Sequence, residues 1–154
     1  MDTLPLNLQS LLSETNNLDS YNKIPFPNGG IIGHIHLRVT NLERSIRFYH
    51  EKLGLDMTTV DWISMGVAFL SERGYHHHVA INTLYSLNGD VHRNGVTGLK
   101  NFTIIASDAS FYNSIKSNII MNNPTSGSKM VHNEAIDKFT IMDPDRIQII
   151  IRTT

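Results

Sequence analysis

The sequence contains no cysteine among its 154 residues, which excludes disulfide bonds, thiolate metal ligands and thiol catalysis. Neither sign of charge dominates, because 13 Lys and Arg residues nearly balance 14 Asp and Glu residues, for a net charge of −1. Such a balance gives no electrostatic basis for binding nucleic acid or a membrane surface, so we expect neither as a partner. No apolar run reaches the length of a membrane span, and the N-terminus lacks the basic and apolar regions of a secretory signal. We therefore expect a cytoplasmic location.

Histidine, in contrast, is abundant and concentrated. Five of the eight histidines lie in two short apolar segments: three are consecutive at residues 76–78, and His34 and His36 lie within residues 31–39. Imidazole is the commonest protein metal ligand and the natural acid or base near neutral pH. The pattern predicts a metal site or a proton-transfer site.

The first thirty residues differ in composition from the rest of the chain. They are rich in Asn, Ser, Leu and Pro and end in two prolines and two glycines within residues 25–30. Proline and glycine interrupt regular structure, so they indicate a boundary. We predict an N-terminal arm or linker at residues 1–30 and a single folded domain at residues 31–154, which is long enough to bury a core.

The predicted domain contains an internal repeat. His34 lies in a strand that ends at Asn41, and 67 residues later Asn101 opens a similar strand that ends at Asp108. Asn and Asp are favoured helix N-caps, because their side-chain oxygens accept the free amides of the first turn. Apolar residues then recur at helical spacing in each half. They are Leu42, Ile46, Tyr49 and Leu53 in the first half, and Tyr112, Ile115 and Ile119 in the second.

Three strand-like segments follow each predicted helix. They cover residues 55–62, 66–70 and 76–82 in the first half, and residues 129–133, 138–142 and 147–152 in the second. The order predicts an α+β fold of two βαβββ units, whose curved mixed sheet surrounds a cleft. Strand alternation puts His34, His36 and Arg38 on one face of the first strand and its apolar residues on the other. The polar face is therefore a predicted ligand wall.

Longer motifs in these segments resemble a known superfamily. Residues 33–55, GHIHLRVTNLERSIRFYHEKLGL, resemble the first strand and helix of the vicinal oxygen chelate superfamily, which includes glyoxalase I, bleomycin-resistance proteins and extradiol dioxygenases. The motifs FLS at 69–71, GYHHH at 74–78 and GLKNFT at 98–103 are similar to the C-terminal half of two-module catechol-2,3-dioxygenase-like proteins. Residues 3–12 resemble the segment that joins their two halves. The resemblance implies paired βαβββ units around a divalent metal.

The resemblance also implies roles for individual residues. His34 matches the metal ligand of the first strand, and His77 matches the histidine that acts as acid or base in extradiol enzymes. Asn101 and Gln148 stand where an active repeat carries a histidine and a glutamate ligand. Neutral amides bind iron weakly and bring no negative charge, so the matched positions of one chain do not complete a 2-His-1-carboxylate site.

Three further residues are candidates for contacting a substrate. His36 shares the face of His34, and Arg38 is placed to pair with a substrate carboxylate. His132 lies eleven residues before Asp143, in a region where extradiol enzymes carry a substrate-binding histidine. Each also has a structural interpretation. His36 could be bonded to backbone carbonyls, Arg38 could form a structural ion pair, and His132 could lie in a loop.

The resemblance implies a catechol-2,3-dioxygenase-like ring-cleavage module that uses Fe(II) or Mn(II) and takes a small aromatic or vicinal-oxygen ligand. Its incomplete metal site predicts a partner, either a second copy in a homodimer or a complementary N-terminal-half chain. The alternative is a non-catalytic small-molecule-binding protein of the same fold, similar to bleomycin-resistance proteins. A glyoxalase-type isomerase or lyase is disfavoured by the neutral Gln148, and a truncated product without activity of its own is also open. Of these alternatives, the resemblance favours an Fe(II)-dependent extradiol dioxygenase-like enzyme module.

Overall fold

The structure, a computed structural model, describes residues 5, 7–13, 28–93, 95–121, 130–135 and 138–153, with backbone alone at 11 and 130–135. The chain divides into two units, Met1–Ile32 and Gly33–Thr154. The described part of the first unit contains a short helix, α1 (Leu8–Ser13). None of the helices in the described ranges has the length and apolar character needed to cross a membrane. The expected division into an arm at 1–30 and a domain at 31–154 stays a prediction.

The second unit begins with one βαβββ repeat. Its elements are β1 (Ile35–Arg38), α2 (Leu42–Ile46) with a π-helical continuation (Arg47–Lys52), β2 (Asp56–Thr59), a 3₁₀ turn (Ile63–Met65), β3 (Val67–Ser71) and β4 (Val79–Asn82). The strands form a four-stranded sheet in the order β1-β4-β3-β2. β1 is parallel to β4, and the other pairs are antiparallel.

The second repeat has the same topology. Its elements are β5 (Asn101–Ile105), α3 (Ala109–Met121), β6 (Met130–Ala135), β7 (Lys138–Met142) and β8 (Gln148–Arg152). The sheet order is β5-β8-β7-β6, with β5 parallel to β8. The predicted α+β fold of two βαβββ units is confirmed. The described strands make two small mixed sheets and no closed barrel.

The two main helices begin where the sequence predicts. The Asn41 side chain accepts a hydrogen bond from the Arg44 backbone N–H at 2.9 Å, and the Asp108 side chain accepts one from the Phe111 N–H at 2.8 Å. Gly54 has a φ of +75°, the left-handed conformation that commonly ends a helix. The caps thus mark both ends of the first helical segment and the start of α3.

The strand β4 is shorter than predicted. It begins at Val79, whereas the apolar pattern predicts a strand from His76. Arg73 and Gly74 both have positive φ, +58° and +72°, so the chain turns sharply just before the histidines. Residues 76–78 are therefore an irregular approach to the strand, in which His77 is buried and His76 and His78 are exposed.

One hydrophobic core joins the two repeats. The core includes Leu37 of β1, Val39 just after that strand, Tyr49 of the helical segment, and Ile149 and Ile151 of β8, all at most 3% exposed. These residues alternate along their strands, so each sheet turns one face to the core. The polar face of β1 is thereby left for the histidines.

Two buried carboxylates connect the β7–β8 turn to the first repeat. Asp145, only 3% exposed, accepts hydrogen bonds from the backbone N–H (3.1 Å) and hydroxyl of Thr40, and it pairs with Arg44 at 3.1 Å. Asp143 accepts one from the Tyr49 hydroxyl at 2.9 Å and two from backbone N–H groups of its own turn. The sequence predicts only a turn here, because the partners lie about 100 residues away along the chain.

Candidate functional site

Three histidines converge where β1 and β4 begin. Because these strands are parallel, with Ile35 opposite Val79, the residues just before each strand meet at the same edge of the sheet. The ligand nitrogens of His34, His76 and His77 lie within 4.8 Å of one another. We call these three residues the histidine cluster.

His77 is the buried member of the histidine cluster, at 5% exposure. Its Nε2 lies 3.1 Å from Nε2 of His36, while its Nδ1 is buried without a hydrogen-bond partner among the described residues. Burial lowers the pKa of His77 to about 4, and the nearby rings of His34 and His76 contribute to that lowering. His77 is therefore neutral at pH 7, as a metal ligand or a proton acceptor must be.

His36 adjoins the histidine cluster from β1. Its ring centroid lies 5.2 Å from that of His34 and 5.1 Å from that of His77. Burial lowers the pKa of His36, and His34 adds to that effect. The structure thus brings His34, His36 and His77, three of the residues chosen from the sequence, to one place.

His78 belongs to a different environment from its two predecessors. Its Nδ1 accepts a hydrogen bond from the Glu72 backbone N–H at 3.2 Å and lies 2.9 Å from the Ser71 hydroxyl. Its ring stacks on Tyr75, with 4.7 Å between centroids. The burial of His78 lowers its pKa, which Glu72 partly opposes.

An aromatic wall lies beside His77. The Phe69 ring centroid is 5.0 Å from that of His77, and Trp62 meets Phe69 edge-on at 6.3 Å. In the register of the sheet, Ala80 stands between Phe69 and His36, so all three share a face. Phe69 and Ala80 are both buried, so they form an apolar backing for His77.

The other predicted substrate contacts lie elsewhere. The Arg38 guanidinium lies over the Tyr85 ring, 5.2 Å from its centroid. His132 lies in β6 opposite Thr140, and its side chain is outside the part of the structure that is described. Substrate contact by His36, Arg38 and His132 remains a prediction.

The two amide residues expected at ligand positions are cross-strand neighbours. Asn101 of β5 pairs in register with Gln148 of β8. Among the described residues, the ligand-type side chains that converge are the three of the histidine cluster, and no carboxylate joins them. The second sheet therefore offers neutral oxygens where a glutamate is needed for a carboxylate-bearing iron site.

The donor set fits a divalent transition metal, which imidazole nitrogens bind well. The buried Nδ1 of His77 without a partner is consistent with a group that meets a ligand, since buried polar atoms are normally paired. The sequence analysis includes His76 in the run of histidines that predicts a metal site but assigns it no role of its own, because adjacent residues of a strand face opposite ways. The available signal in the sequence was Gly74, because glycine permits the sharp turn that the structure shows just before the histidines.

Comparison with known proteins was consistent with the sequence-based expectation. Residues 31–95 match the family model described as the Glyoxalase/Bleomycin resistance protein/Dioxygenase superfamily. The chain is 33% identical over 105 residues to the catechol-2,3-dioxygenase of Bacillus subtilis (strain 168), an alignment that covers 68% of this chain. The chain spans only 35% of the length of that relative.

Solved structures share the fold at low identity. A glyoxalase/dioxygenase from Nostoc punctiforme superposes with a TM-score of 0.62 at 19% identity, over 87% of this chain and 98% of that one. The trypanothione-dependent glyoxalase I of Leishmania major superposes with a TM-score of 0.55 at 16% identity, over 80% of this chain and 86% of that one. The fosfomycin resistance protein FosX of Mesorhizobium loti superposes with a TM-score of 0.54 at 16% identity, over 80% of this chain and 91% of that one. The residues matched by the family model include the histidine cluster and the whole first sheet, and the chain belongs to the Glyoxalase/Bleomycin resistance protein/Dioxygenase superfamily.

Proposed function

We propose that this chain is a ring-cleavage dioxygenase module of the catechol-2,3-dioxygenase type whose metal centre is completed by a partner chain. The observation that carries the proposal is the convergence of His34, His76 and His77 within 4.8 Å, without a carboxylate among the described residues. The relative that bears the dioxygenase name is much longer than this chain, which leaves room for a complementary half.

His34 and His76 are the proposed metal ligands. Both are exposed, and the described contacts of His76 are ring contacts with its neighbours, so its nitrogens are available. Two imidazoles and a carboxylate from the partner make the 2-His-1-carboxylate set that suits Fe(II) or Mn(II). When bound, the metal supplies a template for two adjacent substrate oxygens and an open coordination position for O2.

His77 is the proposed acid and base. Its neutral ring accepts the proton of a substrate hydroxyl, and His36, 3.1 Å away, orients the ring and shares the proton. Phe69 packs on the ring of an aromatic substrate and keeps water from the reacting atoms. Each of these roles uses a neighbour that the structure places beside His77.

The partner must bring negative charge, because Asn101 and Gln148 are neutral. Proteins of this fold commonly bind small ligands and form dimers, so a second copy of the chain or a complementary N-terminal-half chain is the proposed partner. The proposal places the protein in the cytoplasm, where iron is kept as Fe(II).

The metal ligands are tested by anaerobic Fe(II) titration of the full chain. We expect stoichiometric binding that is lost in His34→Ala and in His76→Ala. His78→Ala is the matched control, because His78 belongs to the same run of histidines but bonds to Ser71 and Glu72 instead. Equal loss in all three variants, or retention in all three, contradicts the assignment.

Catalysis is tested by combining the chain, Fe(II), catechol and a complementary half, and by recording the absorbance of the ring-opened product. His77→Gln should keep metal binding but lower kcat by about 10²- to 10⁴-fold, the usual contribution of a general acid or base. A correctly assembled, iron-loaded pair that leaves catechol intact would refute the dioxygenase proposal.

The register pair of Asn101 and Gln148 favours a second candidate, a non-catalytic small-molecule-binding protein. Two amides at the ligand positions suit hydrogen bonding to an organic ligand better than metal binding. Ligand binding that survives a chelator would support this candidate, and a strict metal requirement would exclude it.

A further inference from the structure

A cavity of about 280 Å³ lies on the second repeat, apart from the histidine cluster. It is lined by His92, Lys100, Met142, Arg146 and Gln148. None of the histidines assigned to the metal centre belongs to this lining. The lining is rich in cations and hydrogen-bond donors, a composition that suits an anion.

The cavity occupies a place that corresponds to the histidine cluster in the other repeat. β4 pairs with β1 through Val79 as β8 pairs with β5 through Ile149. The residue three positions before Val79 is His76, and the residue three positions before Ile149 is Arg146. Where the first repeat presents an imidazole, the second presents a guanidinium.

The two cations of the cavity are not neutralised by acidic neighbours. The ion pairs found among the described residues use other cations, and none includes Lys100 or Arg146. The adjacent carboxylate of Asp145 is buried and directed to Thr40 and Arg44. Two cations therefore line the cavity without an ion-pair partner among the described residues.

The backbone of Arg146 adopts a left-handed conformation that is unfavourable for a residue other than glycine. Arg146 has a φ of +68° in a hairpin turn closed by its N–H bond to the Asp143 carbonyl at 3.0 Å. Glycine is the residue that suits this left-handed position. Backbone strain of this kind clusters at ligand-binding sites. An arginine kept where glycine fits best is thus consistent with a use for its side chain.

His92, another residue of the lining, is held in place by two contacts. Its backbone N–H donates to the Asp145 carbonyl at 3.0 Å, which ties this segment to the same turn as Arg146. A Cβ on Gly98 would come within 2.9 Å of Cε1 in the His92 ring, so the glycine lets the loop pack closely on the imidazole. Backbone hydrogen bonds therefore hold both the Arg146 turn and the His92 segment of the lining.

We propose that this cavity binds the acidic group of a small organic acid or phosphate ester. Lys100 and Arg146 supply charge-assisted hydrogen bonds to its oxygens, and the planar guanidinium matches either a carboxylate or a phosphate. His92 and Gln148 add further side-chain N–H donors. The cavity volume suits a molecule of a few carbon atoms, and the site uses none of the residues of the histidine cluster.

Calorimetric titration of the full chain with inorganic phosphate and with succinate tests the proposal. We expect saturable binding of at least one of them, weakened about tenfold or more in Lys100→Gln and in Arg146→Gly, the size expected for a charge-assisted hydrogen bond. Arg152→Gln is the control, since it removes the same charge at the far end of β8 and should leave binding unchanged. Binding of phosphate alone identifies a phosphate site, and binding of succinate alone identifies a carboxylate site.

Two further measurements show whether a loss of anion binding comes from unfolding or from the metal centre. Arg146→Gly should melt at the same temperature as the natural chain or higher, because glycine removes the strained φ, so its loss of binding would not reflect unfolding. His34→Ala should keep anion binding, which makes the outcome independent of the metal centre. The proposal fails if neither anion saturates, if Arg152→Gln weakens binding as much as Arg146→Gly, or if His34→Ala abolishes binding.

Discussion

At the scale of single residues, Asp143 is a buried carboxyl whose environment differs strongly from its ordinary one. The carboxyl is 1% exposed, and burial raises its pKa to about 6, against the opposing hydrogen bonds from the Ile147 N–H and the Tyr49 hydroxyl. A raised carboxyl pKa means that folding favours the protonated form. The stability that this gives is complete below pH 4 and is lost as the pH rises through about 6.

The variant Asp143→Asn tests this linkage, because asparagine resembles the protonated acid. The free energy of unfolding of the variant, relative to the natural chain, should rise between pH 4 and pH 7 by up to about 3 kcal/mol. Urea denaturation at several pH values measures it. Because both chains contain the same histidines, their titration cancels in the difference between the two free energies of unfolding. Asp61→Asn, at an exposed position, is the control, and a difference that does not change with pH contradicts the expectation.

At the scale of elements, Gly66 joins the 3₁₀ turn to β3 under two constraints. Its φ is +79°, and a Cβ there would lie 2.7 Å from the Thr83 hydroxyl oxygen. Gly74 has a similar φ of +72° but has no atom within 4 Å of its would-be Cβ. Comparing alanine variants at Gly66 and Gly74 therefore separates the cost of backbone strain from the cost of steric contact.

Thermal unfolding of two alanine variants measures the separation. Gly74→Ala should cost about 1 kcal/mol, the strain of a left-handed non-glycine residue. Gly66→Ala should cost about 2–3 kcal/mol, because the strand must also move away from Thr83. Equal losses would show that the contact relaxes without cost.

Much of the element order could be predicted because its signals are local. Asn41 and Asp108 cap helices through contacts three residues away, and alternation along β1 separates His36 from Leu37. The start of β4 could not be predicted in this way. An apolar run in the sequence does not reveal a sharp turn beside it. The turn at Gly74 sets where the three consecutive histidines are placed.

At the scale of the whole molecule, the two repeats share one core and are joined by two buried carboxylates, Asp143 and Asp145. The Asp145 carboxylate of the second repeat receives the N–H and hydroxyl of Thr40 and the guanidinium of Arg44 in the first. Removing it leaves those donors without an acceptor in a buried place. We therefore expect the repeats to unfold together.

Asp145→Ala should lower the free energy of unfolding by about 2 kcal/mol, since the buried N–H and hydroxyl of Thr40 lose their acceptor. Asp90→Ala is the matched control. It removes an exposed carboxylate that pairs with Arg93 at 2.7 Å, and it should cost less than about 1 kcal/mol. Chemical denaturation followed by fluorescence and circular dichroism measures both variants. Similar losses, or separate transitions for the two signals in the natural chain, would contradict a shared buried connection.

The sequence by itself determined the repeat, the helix starts and the shared face of His34 and His36, because these depend on periodicity and on contacts a few residues apart. Only the tertiary structure decided that His76 joins the histidine cluster while His78 bonds to Ser71, that His36 meets His77, and which cations surround the cavity. These pairings depend on strand register and on turns with positive φ. The energy of such contacts is realised only when distant segments pack together.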